Sequence, residues 1–298
     1  MTNDNGEGPP ASYKILRQVG EGAFSKVFEV SRPPNLLQCL KVVKQDDGKG
    51  IPGDIIREIA MLTHLRSEWV VRLIEVSEDA HKESILLFFE RMDTDLHRLC
   101  RQQRLSHGQI RVLYRNILLG VDHIHGKGVV HRDLKPSNIL IEVSTLVAKI
   151  ADMGFAYRIN LDTGSGEELL AGTLAYLAPE QLCKDIYFSY ATDMWSLGCV
   201  LAEMALGRPL FNGSTPEQML GLQTGFLTAF FEPEGQSHRG LGRAEKATIF
   251  AEEIELRARL GEPGLDLIKK TMHPQPQKRW RTSGLLSHPF FKQPAPSS

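Results

Sequence analysis

Cysteine is scarce in this chain. Four occur in 298 residues (Cys39, Cys100, Cys183 and Cys199), widely spaced and without a C-x-x-C pair. That pattern gives neither a zinc site nor a disulfide framework, and it points to a reducing compartment, the cytoplasm or the nucleus. An excess of one charge is missing too. A formal net charge of -1 provides no global basic field for nucleic acid or an anionic membrane. No apolar run approaches the roughly 18 residues of a membrane helix. The opening MTNDNGEGPPAS has no apolar centre, so no secretory signal is expected. Internal repeats are absent. The ten histidines form no metal-spaced cluster, since His123 and His125 of "HIH" stand at i, i+2 and face different sides of a helix.

What is present is an ordinary water-compatible composition, 42% hydrophobic and 24% charged, with length for one large domain or two lobes. Up to about residue 92 the runs YKILRQVG, KVFEVS, QCLKVVK, VVRLIEV and SILLFFE read as strands between turn residues. One helix interrupts them near 53 to 65, with Ile55, Ile59 and Leu62 at helical spacing. From about 93 the pattern turns helical. Ser106 and Gln109 make a capping box. It opens a helix whose stripe is Ile110, Leu113, Ile117, Val121 and Ile124, ending near Gly126 and Gly128. The stretch 191–206, ATDMWSLGCVLAEMAL, is apolar nearly all round and belongs inside a large lobe. Strands first and helices later give an α+β chain in two lobes, meeting near "ERMD" at 90–93. Residues 1–12 and 292–298 read as disordered tails, and 232–262 as a partly helical surface insertion.

The stretch VVHRDLKPSNIL, 129–140, places His131, Arg132, Asp133, Lys135 and Asn138 between apolar ends. A buried strand cannot carry so many unpartnered polar groups, so a polar loop lining a cleft is the better reading. Asp133 can accept a proton from a hydroxyl, and Lys135 can neutralise developing phosphate charge. Asn138, with Asp152 in KIADMGFA, supplies the oxygen donors that suit Mg²⁺. Gly20 and Gly22 sit between two strands. They either make a turn or let a backbone approach phosphates. Lys41 lies in an apolar strand and Glu58 in the helix after it. As a pair they are either structural or functional.

Taken in order, Gly20-x-Gly22, Lys41, Glu58, HRDLKPSN, DMG, APE at 178–180, DMWSLG at 193–198 and Arg279 resemble the protein kinase catalytic domain. The resemblance spans about 13–291, with a small lobe about 13–90 and a large lobe about 93–291. It implies a two-lobed α+β fold and an ATP- and Mg²⁺-dependent serine/threonine protein kinase. It also implies roles. Gly20, Gly22 and Val27 would cover ATP, and Lys41, paired with Glu58, would grip its α and β phosphates. Cys39 would lie above adenine and Leu140 beneath it, with Phe89 as gatekeeper and Glu90 to Met92 as hinge. Asp133 would be the catalytic base or the group that orients the hydroxyl, with Lys135 beside it, and Asn138 and Asp152 would hold Mg²⁺. Asp193 and the Glu180–Arg279 pair would be scaffold. Protein substrates and a monomer without nucleic-acid or membrane partners are expected. A pseudokinase scaffold is the alternative, opposed by the intact Lys41, Glu58, Asp133, Asn138 and Asp152.

GIPGDIIREIAML resembles the PSTAIRE helix of cyclin-dependent kinases, in the CMGC group. Ile56 stands either where a cyclin or cyclin-like activator would dock or on an ordinary amphipathic helix. VVRLIEV, FFERMDTDL and FFKQPAPSS look most like the cell-cycle-related kinase branch, which implies a cilium or flagellum as a further location. Three departures stand out. DMG replaces DFG. Glu168 occupies the activating-threonine position, where one carboxylate brings less charge than a phosphate. Its partners would be Arg57, Arg132 and Arg158, unless it is a solvated surface glutamate. Leu177 replaces a usual arginine and Gly172 a β-branched residue, so strong dependence on a following proline is not expected. Ala23 and Phe24 carry no hydroxyl, so inhibitory phosphorylation cannot operate there.

Overall fold

β-Branched and aromatic residues between turn-formers favour extended chain in the first third of the sequence. The computed structural model describes residues 13–22, 25–44, 51–79, 83–159, 172–183, 189–231 and 243–292, the side chains of 54 and 243–249 apart. In it those runs become β1 (Lys14–Glu21), β2 (Ser25–Arg32), β3 (Leu36–Lys44), β4 (Leu73–Asp79) and β5 (Ser84–Glu90). They pair antiparallel as one sheet, in the order β1-β2-β3-β5-β4. β5 is buried along nearly its whole length, whereas edge strand β1 is mostly exposed. Helix α1 (Gly53–His64) buries Ile55, Met61 and Leu62. VVRLIEV becomes a strand only from Leu73. Its first residues are taken by the large lobe, where Val71 N–H donates to Ile150 (2.8 Å) and Ile150 N–H to Trp69 (2.9 Å).

The large lobe follows with β6 (Thr94–Asp95), α2 (Leu96–Gln102), α3 (His107–Gly126), β7 (Val129–Val130), β8 (Ile139–Glu142), β9 (Val147–Ile150) and β10 (Tyr157–Arg158). Then come α4 (Pro179–Leu182), α5 (Tyr190–Leu206), α6 (Pro216–Phe231), α7 (Arg243–Thr271) and α8 (Thr282–Leu286). The capping box at α3 forms in both directions, Gln109 N–H to Ser106 Oγ (3.2 Å) and Ser106 N–H to Gln109 Oε1 (2.9 Å). This satisfies helix-end donors that would otherwise lack partners. Every residue of α5 from Thr192 to Leu206 is buried, as its all-round apolarity requires.

The insertion needs correcting. Residues 232–242 lie outside the described residues, and α7 from 243 onward is helical, with a break at Gly261 (φ 68°) before Pro263. One face of its later turns is not surface, for Leu256 and Leu260 are fully buried, while Ile254 on the other face is exposed. An i, i+4 leucine pair in an otherwise charged stretch carries that packing. Arg259 anchors it, donating to the Ala205 and Leu105 carbonyls. Among the described residues no helix is long and apolar enough to cross a membrane.

Candidate active site

Alternation along β3 sets the small-lobe side. Lys41 Nζ meets Glu58 Oε2 at 2.6 Å, and Glu58 is buried. Val27 pairs with Lys41, and Cys39 pairs with Phe89. Burial pushes the Cys39 thiol up to about 11, so it stays neutral beside the lysine. A Cβ on Gly20 would rest at an ordinary 3.5 Å from Val27, and on Gly22 it would crowd only the Ser25 hydroxyl, at 3.1 Å. Neither glycine takes a positive φ. The chain's own conformation at these two positions does not demand glycine, which favours approach by a ligand over a bare turn.

At the junction of the lobes Phe89 is buried. The Glu90 carboxylate is held by Lys149 Nζ (2.8 and 2.9 Å) and accepts the Arg72 N–H (2.7 Å). Met92 follows, half-buried, and Leu140 on β8 is half-buried as well.

Most polar groups in the buried part of the loop are partnered. Val129 and Val130 pair with β10. His131 lies 3.0 Å from the Ala151 carbonyl through Nε2, and its Nδ1 accepts the Asp133 N–H (3.3 Å). This fixes the neutral tautomer with hydrogen on Nε2. Asp193, at the start of α5, accepts the N–H groups of His131 (2.8 Å) and Arg132 (2.9 Å) and meets His125 Nε2 at 2.8 Å. Burial raises the Asp193 carboxyl, yet the hydrogen bond and charge of His125, together with the His131 backbone N–H, outweigh it and hold the group below its ordinary value. Half of "HIH" is therefore a support for the loop. The described residues contain no cluster of three or more metal-ligating side chains.

Asp133 is itself buried. Its Oδ1 accepts from Thr173 N–H (2.9 Å) and Thr173 Oγ1 (2.8 Å), and its Oδ2 accepts from Asn138 Nδ2 (3.0 Å) and pairs with Lys135 Nζ (2.7 Å). Lys135 also donates to Thr173 Oγ1 at 2.7 Å. Asn138 Nδ2 reaches the Asp133 carbonyl as well (2.9 Å), and the Asn138 carbonyl accepts the Ala151 N–H (2.9 Å). Asp152 comes next, in a left-handed conformation (φ 63°) that is costly for a residue with a side chain. Both described hydrogen bonds of the Asn138 side chain use Nδ2, which leaves its side-chain Oδ1, distinct from the backbone oxygen bonded to Ala151, as a donor to a cation together with the Asp152 carboxylate. Two hard oxygen donors suit a Mg²⁺ ion that brings phosphate and water as its other ligands.

Beyond Thr173 the chain forms a braced floor. Tyr176 OH donates to Glu203 (2.6 Å), Gln223 Nε2 donates to the Leu177 carbonyl (2.8 Å), and Arg279 grips Glu180 with both Nη atoms (2.6 and 2.8 Å). Thr173 and Lys149 had no place among the expected site residues. Only the position of Thr173 five residues before APE hinted at it, and nothing local singles out Lys149. Glu168, Ala23 and Phe24 lie outside the described residues.

A family model for the protein kinase domain matches residues 13–291. Cyclin-dependent kinase B2-1 of Oryza sativa subsp. japonica is 32% identical over 297 residues, covering 94% of this chain and 89% of that protein. Cyclin-dependent kinase B2-2 of Arabidopsis thaliana is 31% identical, covering 97% of each. Cell division control protein 2 homolog C of Antirrhinum majus is 33% identical, covering 94% of this chain and 96% of that protein.

Proposed function

The chain belongs to the protein kinase family, in its cyclin-dependent-kinase-like branch, and from that premise we propose how its residues divide the work of a serine/threonine protein kinase. Phosphoryl transfer leaves the protein mostly positioning and charge neutralisation to do. Gly20, Gly22 and Val27 cover ATP. The backbone from Glu90 to Met92 meets adenine, between Cys39 and Leu140 and against Phe89. Lys41, held by Glu58, steadies the α and β phosphates. Asn138 and Asp152 would hold Mg²⁺, which when bound would supply positive charge at the phosphates. Asp133 orients the substrate hydroxyl and takes its proton. The hydroxyl oxygen bonds to the γ-phosphorus as the bond from that phosphorus to the bridging oxygen breaks, releasing ADP. Lys135 offsets the charge that builds on the γ-phosphoryl oxygens.

The observation that supports this best is the double engagement of Asp133. One oxygen is fixed to Thr173, on the segment leading to the peptide floor, and the other to Lys135 and Asn138. A scaffold that only binds partners has no use for such an arrangement. The test is the purified chain with Mg-ATP, read first by thermal shift and then by phosphate transfer to a generic basic protein, with and without a magnesium chelator. Stabilisation by nucleotide and chelator-sensitive transfer are expected. A folded chain that ignores Mg-ATP overturns the reading.

A cyclin or cyclin-like activator is proposed at α1. Ile56 is 54% exposed there, and Ile74 and Val76 are exposed on β4, against which α1 packs. Lone exposed isoleucines are common, so the support is the resemblance of this helix to the PSTAIRE helix. Glu168 is proposed to stand in partly for phosphothreonine toward Arg57, Arg132 and Arg158. A monomer, and residence in cytoplasm, nucleus or a cilium or flagellum, complete the proposal.

A further inference from the structure

The two lobes are joined differently on the two sides of the cleft. On the hinge side, backbone bonds link residues 69–71 to Ile150, and Lys149 clasps Glu90. On the side of the glycine-bearing strand, a hydrogen bond reaches β1 from the large lobe. Arg98 Nη2 donates to the carbonyl of Val19 at 3.1 Å, immediately before Gly20.

Arg98 stands in the first turn of α2, and Asp95 directs it twice. One carboxylate oxygen accepts the Arg98 N–H (2.8 Å) as the helix cap, and the other lies 3.2 Å from Arg98 Nε. The guanidinium is thus split, one nitrogen on a large-lobe carboxylate and another on a small-lobe carbonyl. A planar fork does this without losing registry, and a lysine cannot. β1 needs such a hold, being an edge strand exposed along most of its length.

We propose that Arg98 is a positioning residue for the nucleotide, a latch that keeps the glycine-bearing hairpin lowered over bound ATP and slows the departure of ADP. This rests on the kinase reading above and touches no reacting atom. On that reading strand β1 runs over the adenosine as well as the phosphates, so the latch acts on adenosine and ATP alike.

The experiment compares the full chain with Arg98→Ala and Arg98→Lys. Amide hydrogen exchange is followed over 14–22 and over 96–102, and adenosine and Mg-ATP affinities are measured by calorimetry. The KM for ATP is compared with that for a protein substrate. Arg98→Ala should speed exchange in β1 and leave α2, still capped by Asp95, unchanged. Adenosine and ATP should weaken by the same factor, about two- to fivefold for one partly exposed charged hydrogen bond. The KM for ATP should follow them and the protein-substrate KM should not. Arg98→Lys should fall between. Unchanged exchange in β1 overturns the latch, and so does a loss confined to ATP, which would mark a direct phosphate contact. Should the wild type bind no nucleotide, the kinase reading fails, while exchange still decides whether Arg98 holds the strand.

Discussion

Asp133 and Lys41 approach the same chemistry from opposite lobes, and they are held in unlike ways. Asp133 accepts bonds from Thr173 and Asn138 and pairs with Lys135, and the loop behind it hangs from the fully buried Asp193. Lys41 is held, among the described residues, by Glu58 across 2.6 Å. Glu58 rides on α1, which begins at Pro52 without a side-chain cap. A charge fixed from several directions is preorganised and needs no rearrangement during reaction. A charge fixed through one ion pair to a single helix would be withdrawn by a shift of that helix alone. The large lobe therefore carries the permanent half of the site and the small lobe the adjustable half, which is where an activator at Ile56 would act.

The contrast can be broken or sharpened by substitution. The largest effect is expected from Asp152→Asn, which removes a cation donor. Transfer activity should fall about a thousandfold, the size seen when one key electrostatic group is lost, with the melting temperature retained. Next is Arg279→Met, under the peptide floor. Arg279 has no exposed side-chain surface and Glu180 little, so leaving the carboxylate unpartnered should cost about 3 kcal/mol in denaturant unfolding. Glu58→Gln, on the adjustable side, should lower kcat/KM about tenfold, through one weakened charged hydrogen bond, with stability nearly unchanged. If Glu58→Gln destabilised as much as Arg279→Met, the division into permanent and adjustable halves would fail. The smallest signal concerns acid. Asp193 is held below its ordinary value of 3.8. Its contribution is therefore present above that value and lost as pH falls through the lower folded one. The stability gap between wild type and Asp193→Asn should close below about pH 3.8.

The strand runs, the Ser106–Gln109 cap, the buried helix within 191–206 and the Lys41–Glu58 pair were legible in the sequence. Each depends on local spacing or on a motif with fixed chemistry. What stayed hidden depends on partners far along the chain. His125 looked like half of an idle pair until folding set it beside Asp193, 68 residues away. Val70 and Val71 looked like strand, but Ile150 competes for their pairing. Leu256 and Leu260 were masked by charged neighbours, although their four-residue spacing was visible. Arg98 differs in no sequence-level respect from any surface arginine, and only the position of Val19 gives it a task.

Gly172 sets a boundary on engineering. With φ at 120°, a Cβ there would stand 2.7 Å from the Arg132 carbonyl and 2.9 Å from Leu177 Cδ2. The backbone oxygen cannot retreat without dragging the neighbouring Asp133 with it, so trimming Leu177 alone would not make room. Anyone redesigning which peptides this protein accepts would find position 172 closed to every larger residue.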